Sequence, residues 1–295
     1  MMKTSWYEAT ARDRIAGLLD PGSFIEILPP QSRLRSPHLE PLGSPAAFDD
    51  GVIVGKGLLD DRSVLIAAQE GGFMGGAVGE IHGAKITGLL ERALDERPDG
   101  VLLLLESGGV RLHEANAGLI AVSEIMRAIL NLRAAGLPVV VLDGGRYGVF
   151  GGMGIAARLA SCIVMSEEGR LGLSGPEVIE ATAGVEEFDA SDRPLVWRTV
   201  GGKHRYLIGE ASALVSDEIA DFRQQAICGL SRGSVLDLGE IEAEHARLKD
   251  RISRFGASHD ALDIWAALGV SNPDTIPVLD VEEFHEATDK LRIVS

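Results

Sequence analysis

Two glycine-rich turns carry the residues best suited to chemistry. Ser107-Gly108-Gly109-Val110-Arg111 follows an apolar run at 101–106, and Gly151-Gly152-Met153-Gly154 closes a glycine-rich stretch, 144–154, that follows another at 138–143. Glycine lets the backbone come close to a ligand. A helix starting just beyond such a turn leaves its first N–H groups without intrahelical partners. Two such clusters on neighbouring strands can converge on one oxygen and stabilise charge as it develops, each donor being worth about 2.7–4 kcal/mol of barrier. The candidate donors are the peptides of Gly108, Gly109, Val110, Gly151 and Gly152. Taken alone, either loop also reads as a tight βα turn with no catalytic role. A dinucleotide site is the rival, but no Gly-x-Gly-x-x-Gly follows a first strand with an acid about twenty residues on, and no phosphate loop ending in Lys-Ser or Lys-Thr is present.

Around these turns stand side chains with two readings each. Arg111 either orients a carboxylate or phosphate, or makes an ion pair with Glu106 or Glu114 that stiffens the loop. Arg146 and Tyr147 either line a ligand channel or pack their own loop. His204, after Gly201-Gly202, sits near the pocket or is a satisfied structural histidine. His113 and Glu114 offer acid–base chemistry or are first-turn helix residues. Lys56, Lys85, Lys203 and Arg205 would meet a ligand's phosphates or are solvated cations. There is no Ser-His-Asp or Cys-His pattern. Cys162 and Cys228 are too far apart in sequence for a zinc ribbon and read as reduced, mostly buried thiols; no metal site is expected.

The elements that must position the turns follow from the apolar pattern. Residues 5–20 have helical spacing and stop at Pro21-Gly22. The stretch 28–50 reads as a surface loop, part of which could cover a ligand, and 51–70 as two strands joined at Asp60-Asp61. A glycine-rich loop, 71–80, leads into a helix to about Glu96. The runs 101–106, 138–143 and 161–167 read as strands buried on both faces, with a helix of about twenty residues between the first two. Strand, glycine loop, helix, strand is the rhythm of βαβ units in a largely parallel sheet, with glycines at the strand ends where such sheets place ligands. Glu186–Asp192 reads as a solvated loop, 229–236 as a hinge, 237–254 as a charged helix, and 280–291 as a short acidic helix. The last third is expected to pack on the main domain or on a partner.

The bulk properties narrow the class. The chain has 295 residues, 45% hydrophobic and 24% charged, with formal charge −16, which suits a folded protein with a large core and disfavours nucleic acid or anionic membrane as partner. Residues 1–14 lack the apolar run of a signal peptide and no stretch approaches the roughly 20 apolar residues of a membrane span, so a cytoplasmic protein is expected.

Several segments together resemble the carboxyltransferase branch of the crotonase superfamily, especially the β subunits of acyl-CoA carboxylases and of malonate decarboxylase. They are ARDRIAGLLDPGSF (11–24), FMGGAVGEIHGAKI (73–86), ESGGVRLHEA (106–115, with Val110 where the family has Ala), FGGMG (150–154), GRLGLSGPEVIEATAG (169–184) and VGGKHRYLIGEASALVSD (200–217). They cover about two thirds of the chain, in the family's order. The four-cysteine ribbon of bacterial acetyl-CoA carboxylase β subunits is absent, and the chain is about half the length of the fused propionyl-type enzymes. A ribbon-free chain opening on SWYE and carrying GGRYGVFGG is most similar to the malonate decarboxylase β subunits. The resemblance implies an α/β crotonase-like fold of repeated ββα units, with a carboxyltransferase domain over 1–228 and a helical extension over 229–295. It implies decarboxylation of malonyl-S-acyl carrier protein to acetyl-S-acyl carrier protein and CO2. No cofactor would be bound directly; the substrate would ride on the carrier's CoA-like phosphoribosyl-dephospho-CoA arm. A γ subunit of related fold would complete a hetero-oligomer. The proton donor stays open between water and the partner. The alternatives are a biotin-dependent carboxyltransferase subunit and a non-catalytic scaffold that presents the carrier protein. A stand-alone hydratase would want a pair of carboxylates, and none is convincing.

Overall fold

The computed structural model describes residues 4–43, 51–233 and 235–293. The end of the expected surface loop, 44–50, and Ser234 of the expected hinge lie outside the described residues. Thr10 caps the first helix, α1 (Ala11–Leu18), in a reciprocal box with Asp13, which accounts for its start six residues later than the apolar spacing suggests. Residues 5–9 instead pair with a distant segment: Ser5 bridges Glu218, and Trp6 stacks on Phe222 at 4.0 Å. Next come β1 (Ile25–Ile27), β2 (Val52–Leu59) and β3 (Arg62–Gln69). The hairpin turns at Asp60 and Asp61, both at positive φ, with their N–H groups donating to the Asp20 carboxylate at 3.1 and 2.9 Å.

From there strands and helices alternate: α2 (Glu80–Glu96), β4 (Gly100–Leu104), α3 (Ala117–Ala134), β5 (Val139–Asp143), α4 (Gly151–Arg158) and β6 (Cys162–Ser166). Three short helices follow, α5 (Pro176–Ala183), α6 (Arg193–Val200) and α7 (Gly202–Leu207), then β7 (Ala213–Val215) and α8 (Ile219–Gly229). The seven strands lie in sequence order, antiparallel from β1 to β3 and parallel from β3 to β7. Parallel strands need crossover helices, so both faces are covered and the strands read as unbroken apolar runs. Leu65, Val101, Leu103, Val139, Val141 and Met165 face the α2–α3–α4 layer. Ile66, Leu102, Leu104, Val140, Leu142 and Val164 face α1 and α8.

The remainder comprises α9 (Leu238–Phe255), α10 (Ala261–Leu268) and α11 (Val281–Thr288). Trp265 of α10 and Phe284 of α11 sit in the same core as the α2–α3 layer. Lys203 donates to Pro277 O at 3.2 Å and Tyr206 Oη to Asp289 at 3.0 Å, which fastens the tail to α7. Cys162 is buried, but Cys228, expected inside, is exposed, because α8 turns that position away from the sheet. Among the described residues no helix is long and apolar enough to cross a membrane.

Candidate functional site

The two glycine turns meet beyond the C-terminal ends of β4 and β5. Ser107 N–H donates to Gly148 O at 2.8 Å and Phe150 N–H to Ser107 O at 2.7 Å, so the turns run side by side. They touch at Gly109 and Gly151, where a Cβ on Gly151 would stand 3.3 Å from Gly109 Cα. Gly109 has φ +141°, and a side chain there would meet nothing within 4 Å; this edge of the junction is open.

Which amides are available is decided by the turns' own hydrogen bonds. Gly108 N–H donates to Gly75 O at 2.8 Å and Gly151 N–H to Leu173 O at 2.9 Å. Gly109 N–H reaches Ser107 Oγ at 3.3 Å. Val110 is different. Its neighbours close a bridge to Val78, with Val78 N–H to Gly109 O at 2.9 Å and Arg111 N–H to Val78 O at 3.0 Å, and its own N–H has no protein acceptor among the described residues. On the second turn, no side chain caps α4, and Gly154 is the first amide to bond back, to Phe150 O at 3.4 Å. The N–H groups of Gly152 and Met153 are therefore unspent. Of the five peptides expected from sequence, Gly108 and Gly151 hold the framework and Gly109 is partly engaged, while Val110 and Gly152 keep free donors. Met153 joins them; an oligoglycine run does not reveal which amide is left without an acceptor.

A buried ion pair that sequence reasoning did not find supports both turns. Arg14 Nη1 contacts Glu106 Oε2 at 2.7 Å, both side chains almost wholly withdrawn from solvent, and Arg14 Nε donates to Trp6 O at 2.9 Å. The other Glu106 oxygen accepts the Tyr147 N–H at 3.0 Å, and the Glu106 N–H donates to Gln69 Oε1 at 3.0 Å. A side chain at Gly71 or Gly145 would strike the Glu106 carboxylate group at 2.5 Å. One carboxylate thus ties the N-terminal helix to the roots of both turns. Nearby, burial pushes Asp143 well above the usual carboxylate range, against the opposing pull of Arg170.

The side chains expected to bind substrate fare differently. Arg111 is buried; it donates from Nε to Ala77 O at 3.0 Å and pairs with Glu114 at 3.2 Å, and Glu114 in turn accepts the Glu80 N–H at 2.6 Å. It braces the loop, and its partner is Glu114, since Glu106 is taken by Arg14. Arg146 and Tyr147 are exposed on the second turn, Arg146 stacking over the Tyr7 ring at 5.5 Å. His204 is buried, 6.1 Å from the Trp265 ring. Burial first, then the neighbouring Arg205 charge, lowers its pKa to about 3, so it is a neutral core histidine beside the C-terminal tail. His113 and Glu114 fall in a short 3-10 turn. Lys85 donates to Val52 O at 2.7 Å and Arg205 pairs with Glu210 at 2.9 Å, which leaves neither as a solvated cation. Burial pushes Glu210 up, but Arg205, Arg158 and Arg251 outweigh it and hold its pKa at about 2.

A separate cavity of about 250 Å3 opens between α6, α7 and the tail, lined by Trp197, Trp265 and Pro277 among others. Its cations are paired: Arg193 with Glu168 at 2.7 Å, Arg198 with Asp260 at 2.7 Å and Lys203 with Glu167 at 3.4 Å.

A mostly parallel sheet whose neighbouring strands end in touching glycine turns is the framework of a crotonase-type carboxyltransferase. The chain belongs to the carboxyl transferase domain family, which it matches over residues 7–204. It is 40% identical to the malonyl-S-ACP:biotin-protein carboxyltransferase of Malonomonas rubra, over 98% of this chain and 96% of that protein. It is similar to the crystal structure of a Pseudomonas malonate decarboxylase hetero-tetramer in complex with malonate, with a TM-score of 0.80 and 41% identity, covering 89% of this chain and 96% of that one. A Pseudomonas malonate decarboxylase hetero-dimer matches with a TM-score of 0.67 and 38% identity, covering 84% and 97%.

Proposed function

We propose that this chain is the β-type subunit of a malonate decarboxylase, a carboxy-lyase that converts malonyl-S-acyl carrier protein to acetyl-S-acyl carrier protein and CO2. Whole-length likeness to proteins named for malonate and for a malonyl thioester supports the substrate class. The observation that carries the chemistry is the pair of touching turns with unspent N–H groups at Val110 and at Gly152–Met153.

In the proposed step the bond from the α carbon to the carboxylate breaks and CO2 leaves. Its electron pair forms the enolate, placing new negative charge on the thioester oxygen. The amides left without protein acceptors at Val110 and Gly152–Met153 would donate to that oxygen and lower the barrier, because the charge appears only as the bond breaks. The α carbon then takes a proton, from water or from the partner subunit, and the product is the acetyl thioester. No protein nucleophile is required. We assign Arg146 and Tyr147, exposed beside the turns, to the arm of the carrier, for which a CoA-like prosthetic group is the proposed chemistry. The active complex is a hetero-oligomer with a γ-type subunit, in line with the hetero-dimeric and hetero-tetrameric relatives.

The test is release of CO2 from malonyl-S-carrier protein by the purified complex without biotin. A second reading, transfer of the carboxyl group to biotin, is favoured by the name of the Malonomonas relative. Avidin separates the two: it abolishes turnover in a biotin-dependent transfer and leaves a direct decarboxylation untouched.

A further inference from the structure

We propose that α9 is a homotypic docking helix, pairing antiparallel with α9 of a second copy of this chain. Its 18 residues run about 27 Å, yet only Arg251 and Phe255 are withdrawn from solvent. Leu238, Ile241, Leu248 and Ile252 are 68%, 52%, 38% and 71% exposed. Together with His245 they recur at spacings of three and four, the seam of a two-helix coil. A lone helix of this length is marginal in water. Its own supports are small: the Asp237 cap on the Glu240 N–H at 3.0 Å, and the Glu244–Arg247 and Asp250–Arg254 pairs, worth a few tenths of a kcal/mol each. The apolar seam therefore lacks a cover within the described chain.

Charge decides the occupant. The N-terminal half carries Asp237, Glu240, Glu242 and Glu244. The C-terminal half carries Arg247, Lys249, Arg251 and Arg254, with Asp250 its one acid. An antiparallel two-fold partner sets each acidic half against a basic half, and it opposes the helix dipoles. Parallel pairing stacks like on like. Arg251 already reaches Glu210 at 3.2 Å, which anchors that end of the helix to the body while the seam stays outward. A helix with this self-complementary split is matched by its own copy. The pairing is independent of the activity proposed above.

Cross-linking of the full-length chain, alone and in its assembled complex, tests this. With exposed Cys228 replaced by Ser, His245→Cys lies at the centre of the seam, next to the two-fold axis, and mild oxidation should give a disulfide-linked dimer of this chain. Leu238→Cys should give none, since antiparallel copies of that position lie about 20 Å apart, far beyond the roughly 7 Å limit for a disulfide. Ile241→Asp with Ile252→Asp should weaken self-association by at least about tenfold, and the thermal transition should lose its dependence on protein concentration. Failure of His245→Cys to link, equal linking by Leu238→Cys, or linking of His245→Cys to a different subunit would each overturn the proposal.

Discussion

Replacing Gly152 with alanine places the proposed chemistry under direct strain. A Cβ there would stand 2.6 Å from Val122 Cγ1 and 3.3 Å from two further atoms of that side chain. Ordinary carbon contacts lie at about 3.5–4.0 Å, so close to 1 Å must be found. Val122 cannot supply it easily, because it is 4% exposed in the core and a helical valine is held near one rotamer. The start of α4 must move instead, and the N–H groups of Gly152 and Met153 move with it. Loss of one such donor costs about 2.7–4 kcal/mol, or about 10²–10³ in kcat, with KM little altered because the interaction is made in the transition state. The assay is steady-state CO2 release from malonyl-S-carrier protein, with complex assembly checked by size exclusion. Adding Val122→Ala returns the missing space and should recover most of the rate. An assembled Gly152→Ala complex with unchanged kcat would refute the reasoning.

Other outcomes follow from the same geometry. Glu106→Gln leaves the buried Arg14 charge without its counterion, so thermal or chemical melting should show a loss of about 3–5 kcal/mol, together with lower turnover as both turns loosen. Arg111→Met should lower the melting temperature while leaving KM for the malonyl thioester unchanged; a selective rise in KM would return Arg111 to substrate binding. His204 has a folded-state pKa of about 3 against about 6.5 unfolded, so the unfolded chain binds the extra proton and stability falls as pH drops from 6.5 toward 3, by at most about 1.4 kcal/mol per pH unit. His204→Gln should flatten that slope in melts between pH 7 and 5. Gly88, exposed on α2 with open space at its Cβ, should gain about 0.5–1 kcal/mol as alanine with activity unchanged.

The parallel core was legible because strands buried on both faces leave uninterrupted apolar runs, and the glycines ending them mark their C-terminal edges. The hairpin at Asp60-Asp61 was legible for the same reason of pattern. What the sequence concealed depends on partners far away in the chain. Residues 5–9 carry helical spacing but spend it on Trp6 stacking with Phe222 and on the Ser5 bridge to Glu218. The strands β1 and β7 have only three residues each, too few for a period to show. At the site, two touching glycine turns were foreseeable, whereas the amides left without acceptors were not. That choice follows from Gly75 O and Leu173 O capturing Gly108 and Gly151. The Arg14–Glu106 pair spans 92 positions, so nothing local announces it. His204 owes its buried setting to Trp265 of the tail, 61 positions away in sequence, so its neighbours in the chain cannot reveal it.

The most direct measurement is a crystal structure of the assembled complex bound to a non-hydrolysable malonyl-thioester analogue, read for the position of the thioester oxygen. That oxygen should lie within about 2.7–3.1 Å of both the Val110 N and an amide N at Gly152 or Met153. A thioester oxygen turned away from these amides, or bound in the cavity beside Trp265, would contradict it.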